Sequence, residues 1–137
     1  MASQMSQAPI VAPPWFRRVC IGFVIMFLAF AGLQVNDPDP VRWIAIYGST
    51  AIVTSALHKR MQLYPLALLV AAIAAVWCGV LLGRTINIVG PGDFFARMSE
   101  KGGAVEEARE AGGLAIAFLW LSSAATVARR KLANSSP

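Results

Sequence analysis

Residues 63–83 read LYPLALLVAAIAAVWCGVLLG, a run without one charged or amide side chain. About 20 apolar residues carry an α-helix across a bilayer, and a helix satisfies its own backbone N–H and C=O groups where no water can. Within this run Ala67, Ala71, Ala75, Gly79 and Gly83 recur every four residues, which predicts a strip of small side chains that a second helix can approach closely. Three further apolar blocks surround it. Trp15 and Phe16 precede Arg17 and Arg18, after which Val19 to Asn36 carries no charge; Trp43 to Leu57 is the second uncharged stretch; residues 111–128 are closed by Arg129, Arg130 and Lys131.

The chain as a whole is 57% hydrophobic and 14% charged over 137 residues, where soluble domains run at about 45–50% and about 25%. The expected fold is therefore all-α: a polytopic membrane protein with four transmembrane helices over residues 17–35, 41–58, 63–83 and 111–128, forming one domain at 15–131. Residues 1–14, polar and rich in Ala and Pro, read as a disordered N-terminal tail, and 132–137 as a C-terminal tail. A cleavable leader ending at Ala29-Phe30-Ala31 is the rival reading of the first block, weakened by the long stretch ahead of its arginines. Residues 84–110 form the one long loop. Gly90-Pro91-Gly92 breaks the chain there, Asp93 to Glu100 is expected as a short interfacial helix with Phe94 and Phe95 dipped in, and Gly102-Gly103 ends it. From Ala104 a helix should continue into the fourth span.

A net charge of +5 would suggest nucleic acid in a soluble protein, but here the cations flank apolar blocks and act as orientation signals. Arg17, Arg18, Lys59, Arg60, Arg129, Arg130 and Lys131 share one side, whereas Arg42, Arg84, Arg97, Lys101 and Arg109 share the other with all seven acids, Asp37, Asp39, Asp93, Glu100, Glu106, Glu107 and Glu110. The inner face carries +7 and the outer −2. Both termini are expected in the cytoplasm, in a multi-pass protein of a bacterial cytoplasmic membrane. Nucleic acid is excluded as a partner; the lipid bilayer and a membrane-protein partner are expected instead. Cys20 and Cys78 fall near opposite faces, which excludes a disulfide between them, and His58 sits among cations that disfavour a metal.

The first span ends on Gln34-Val35-Asn36-Asp37-Pro38-Asp39-Pro40. Asp39 can cap the second helix and Pro40 suits its first turn. A turn alone does not call for two aspartates braced by prolines, however. On the fourth helix Glu106, Arg109, Glu110 and Gly113 lie on one face, continued by Ala117 and Trp120, and short connections place that face level with the turn. Asn36, Asp37, Asp39, Glu106, Arg109 and Glu110 are the candidate binding residues, with Arg109 the expected ion-pair partner of Asp37 or Asp39. Gln34, Trp43, Tyr47, Trp77 and Trp120 are candidate supporting residues, the last two tryptophans as a roof over the acids. Tyr47, Thr50 and Thr54 share a helical face expected to look inward. No resident cofactor is expected; if a metal binds, Asp37, Asp39, Glu106 and Glu110 are the candidate ligands, and oxygen donors alone suit Ca²⁺ or Mg²⁺ over Zn²⁺. The loop has no EF-hand rhythm.

At these residues the sequence resembles the transmembrane protein 220 family. The likeness lies in Gln34-Val35-Asn36-Asp37-Pro38-Asp39 with Trp43 and Tyr47 behind it, in Trp77, and in Glu106-Glu107, Arg109-Glu110, Gly113 and Leu114 leading to Trp120. The resemblance implies a small four-helix membrane protein, and carries no activity, substrate or cofactor with it.

Three function classes follow. The leading one is a structural or interaction protein in which the outer acidic cluster and Arg109 tie helices together or dock a partner. A cation-binding or transport protein using the same carboxylates is the alternative, disfavoured because no acid or base lies at mid-membrane. An interfacial enzyme acting on a lipid or peptide comes last, since no Ser-His-Asp set, His-Glu-x-x-His, phosphate loop or Cys-x-x-Cys is present.

Overall fold

Proline decides where three of the four long helices begin. The structure is a computed structural model and describes residues 10–97 and 100–135. Helix α1 (Pro14–Leu33), α2 (Pro40–Leu57) and α3 (Tyr64–Thr85) each carry proline in the first turn, where the missing N–H would have had no helical partner anyway. Helix α4 (Ala104–Ala133) starts differently: Lys101, Gly102 and Gly103 hold φ of 55°, 66° and 86°, a left-handed reversal that two glycines make inexpensive. Short turns force successive helices to run antiparallel. One 3₁₀ turn, Gln34–Asn36, ends α1, and another, Met61–Leu63, leads into α3. All regular structure among the described residues is helical.

Residues 10–14, read from the sequence as tail, belong to the folded body. Pro14 is already helical, the Ala12 N–H reaches the His58 carbonyl at 3.4 Å, and the Met61 N–H reaches the Ile10 carbonyl at 3.2 Å. These bonds tie the entry of α1 to the α2–α3 turn. The rest of that tail, residues 1–9, lies outside the described residues. In the long loop the expected helix at 93–100 is replaced by a 3₁₀ turn at Pro91–Phe95, because Pro91 starts a turn as readily as it breaks a helix. Met98 and Ser99 lie outside the described residues, as does the Phe94 side chain; Phe95 is 94% exposed. Lys101 draws the loop shut, its ammonium meeting the Asp93 carboxylate at 2.6 Å and the Ile88 carbonyl at 2.8 Å. That ammonium, with the Gly90 N–H, holds the Asp93 carboxyl below its ordinary value. Helix α4 begins at Ala104, as the sequence predicts.

Helices α3 and α4 share the most extensive contact, and their geometry corrects the expected small-residue strip. The buried face of α3 is Ala67, Ala71, Ala74, Cys78, Leu81 and Thr85, whereas Gly79 and Gly83 face outward. Four residues turn a helix by about 400°, so a strict four-residue repeat drifts by about 40° per step and leaves the interface after three steps. Alternating steps of four and three keep the seam in register, as in a coiled coil. Helix α4 answers with Ala104, Ala108, Ala111, Leu114, Ala117, Leu121, Ala124 and Ala128, and the Cys78 thiol donates across to the Ala111 carbonyl at 3.3 Å. Both cysteines are free.

In α2, Tyr47, Thr50 and Thr54 are buried, as the inward-facing assignment requires. Thr50 donates to the Ile46 carbonyl at 2.8 Å, and Thr54 accepts from the Trp120 indole at 3.0 Å. A buried hydroxyl and a buried indole thus satisfy one another between α2 and α4. Outside, Ile25, Ile52, Leu69 and Val76 stand more than half exposed. Such apolar exteriors suit lipid, since a soluble protein leaves no comparable apolar belt uncovered. Three segments, Pro14–Asn36, Met61–Thr85 and Lys101–Ala133, are long and apolar enough to cross a membrane. At 18 residues α2 measures about 27 Å and is not among those three segments.

Candidate functional site

The chain leaves α1 through the turn at Gln34–Asn36, whose closing bond runs from the Asp37 N–H to the Gln34 carbonyl at 3.0 Å. Asp37 then folds back. Its carboxylate accepts the Asp39 N–H at 2.9 Å, the two-residue loop that aspartate commonly makes with the backbone ahead of it. Asp39 stands at the N-cap position of α2, but its side chain makes no capping bond; the carboxylate pairs with Arg42 one turn on, at 2.9 Å. The expected cap is thus replaced by an exposed ion pair within the first turn of α2.

Across the bundle, Glu106 and Glu110 are one turn apart on the first part of α4, on the same face. They meet Asp37. Carboxylate oxygens of Asp37, Glu106 and Glu110 all lie within 4.8 Å of one another, and the three side chains are half-buried. Two oxygens on one cation with metal–oxygen bonds of about 2.3–2.6 Å stand at most about 5 Å apart, so this spacing is within the reach of a single ion. Three carboxylates so close repel strongly, and a half-buried position screens them less than open water would.

Arg109 was the expected ion-pair partner of Asp37 or Asp39. Asp39 is held by Arg42, and the Arg109 guanidinium donates to the Ala96 carbonyl at 2.9 Å, tying the long loop to α4. Arg109 still lines one of the two grooves that flank the acids. That groove, about 440 Å³, is walled by Gln34, Asn36, Tyr47 and Arg109 beside Asp37, Glu106 and Glu110. The other, about 450 Å³, is walled by Arg42, Trp43, Trp77, Arg84 and Glu107 beside the same three acids. Asn36 and Asp39 therefore stand at the margins, each in one groove. Arg42, Arg84 and Glu107 are site residues that the sequence reading left out; Arg84 and Glu107 approach to 3.8 Å. The only signal for Arg42 was its three-residue spacing from Asp39, and nothing in the sequence brought Arg84 across from α3.

Beneath the acids lies an aromatic layer. Trp43 stacks on Trp77 with ring centroids 4.5 Å apart and on Tyr47 at 6.1 Å, and Tyr47 packs between Phe27 and Phe30 at 6.2 and 5.5 Å. Trp43 is 1% exposed, and its indole N–H has no hydrogen-bond partner among the described residues. The Tyr47 hydroxyl presses on Gly113, where a Cβ would collide with it and come within 3.1 Å of the ring carbon that bears it. Gly113 is thus the opening that lets α2 and α4 close beneath the site. Trp77 reaches the acidic groove as expected, but Trp120 does not roof it. That ring stacks on Phe23 at 3.8 Å and bonds to Thr54, three helical turns further along α4. Helical spacing set the face of Trp120 correctly, and the length of α4 carried it away from the acids.

No solved structure matches this chain. Residues 26–126, from the second half of α1 through most of α4, match the family described as transmembrane family 220, helix. That stretch holds the Asn-Asp-Pro-Asp turn, the stacked Trp43 and Trp77, and the glutamates that meet Asp37. The resemblance read from those motifs is upheld, and the chain belongs to transmembrane family 220.

Proposed function

We propose that this integral membrane protein has a structural or interaction role, with Asp37, Glu106 and Glu110 seating a hard divalent cation that clamps the α1–α2 turn to the start of α4. The observation that carries the reading is the convergence of these three carboxylates, from two distant parts of the chain, to within 4.8 Å. The Arg109 guanidinium reaches the long loop, and Arg42 pairs with Asp39. Carboxylate oxygens without His or Cys suit Ca²⁺ or Mg²⁺. The clamp would close the bundle at the end where α2 begins. In this reading α2 is the fourth crossing, with Arg42 and the cluster of His58, Lys59 and Arg60 reaching the two interfaces, and both termini lie in the cytoplasm of a bacterial cell.

A second reading is a site for an organic ligand at the membrane surface, lipid or peptide. It draws on the groove of about 450 Å³ and on the unpartnered Trp43 N–H in its wall. Calcium and magnesium titrations of the purified protein, followed by thermal unfolding in detergent, separate the two. The clamp predicts stabilisation of about 2.7 kcal/mol at a hundredfold excess over Kd, and its loss in Asp37→Asn. In chelator the same substitution should raise the midpoint, since it removes one of three repelling charges while keeping the oxygen that accepts the Asp39 N–H. Midpoints indifferent both to the ions and to Asp37→Asn would end the clamp reading.

A further inference from the structure

The opposite pole of the molecule is cationic. Among the described residues every acid lies toward the turn that joins α1 to α2 or in the long loop, while Arg17, Arg18, Lys59, Arg60, Arg129, Arg130 and Lys131 gather where α1 begins and α2 ends. At this pole a groove of about 410 Å³ runs along the last turns of α2 onto the turn into α3. It is lined by Ile52, Ser55, Ala56 and Leu63 together with the cationic Lys59 and Arg60. Both cations are exposed, and neither makes an ion pair among the described residues. Ile52 is 71% exposed and faces outward from α2.

We infer that this groove binds one anionic phospholipid, its phosphate on Lys59 and Arg60 and an acyl chain along Ile52 and Leu63. Charge complementarity selects the occupant. Among the described residues Lys59 and Arg60 make no ion pair and no Asp or Glu lies at that pole, so an anionic head group gains charge-assisted bonds that a zwitterionic one partly cancels with its own ammonium. The apolar lining selects lipid over free phosphate, because a phosphate ion would leave Ile52, Ala56 and Leu63 uncovered. The inference is independent of the carboxylate cluster at the other pole.

The test is lipid retention by the purified full-length protein in detergent, read by native mass spectrometry. The probes are phosphatidylglycerol, phosphatidylcholine of matched chains, and inorganic phosphate. One phosphatidylglycerol per protein should be retained in preference to phosphatidylcholine. Retention should fall about thirtyfold in Lys59→Gln/Arg60→Gln, the factor expected from two basic residues near an anionic surface. It should persist in Arg129→Gln/Arg130→Gln. Equal retention of the two lipids by the unaltered protein would overturn the inference without recourse to any variant. Displacement of phosphatidylglycerol by millimolar phosphate would overturn it too, since the acyl channel would then contribute nothing.

Discussion

Replacing Gly113 with alanine adds one methyl group at the point where α4 meets the Tyr47 hydroxyl. A Cβ there collides with that oxygen and lies 3.1 Å from the carbon bearing it, so Tyr47 must move. It has little room. Phe27 and Phe30 flank it at 6.2 and 5.5 Å, Trp43 covers it at 6.1 Å, and the residue is 3% exposed. Overpacking of a confined core costs about 1–3 kcal/mol, whereas the helix gains about 0.8–1.0 kcal/mol when glycine becomes alanine. The net expectation for Gly113→Ala is a loss of up to about 2 kcal/mol. The neighbouring glycine supplies the control. A Cβ on Gly112 meets nothing within 4 Å, so Gly112→Ala should keep the helical gain and stabilise by about 1 kcal/mol. Thermal unfolding of the two variants in the same detergent should show shifts of opposite sign. Adding Tyr47→Phe to Gly113→Ala should recover part of the loss, and only part, since the ring carbon remains close. If Gly113→Ala proved as stable as Gly112→Ala, the wedge of Tyr47 against α4 would be refuted.

Thr54→Val removes the acceptor of the Trp120 indole and should destabilise by about 1 kcal/mol, with the Trp fluorescence changing as the indole loses its partner. Asp93, held below its ordinary value of 3.8 by Lys101 and the Gly90 N–H, favours the folded loop above that value and loses the contribution as pH falls from there through its lower folded-state value. Asp93→Asn should therefore flatten the stability profile as pH falls below about 4; a profile as steep as that of the unaltered protein would count against the latch. Cysteine placed by Asp39→Cys and by Lys59→Cys should react with impermeant reagents from opposite sides of the membrane if α2 crosses it, and from one side if it does not.

Composition and hydropathy determined the membrane class, the four long helices and most of their ends, because in lipid a backbone must close its own hydrogen bonds and only long apolar helices can do so. The helical period placed Tyr47, Thr50 and Thr54 inside, and put Glu106 and Glu110 on one face. Packing decided the rest. The seam of α3 follows alternating steps of four and three because two helices must stay in register over their whole length, so Gly79 and Gly83 fell outside a strip that looked continuous in one dimension. Arg42 reached Asp39 before any distant arginine could, a competition set by distances within one helical turn. Trp120 lay on the face predicted and three turns too far along. Asp37 was named from its place in the proline-braced turn just ahead of Pro38, yet only the docking of α4 beside the turn brought it to Glu106 and Glu110. Spacing along a chain fixes which side of a helix a residue occupies; contacts between residues some 70 positions apart depend on how the helices are stacked, and no local pattern encodes that.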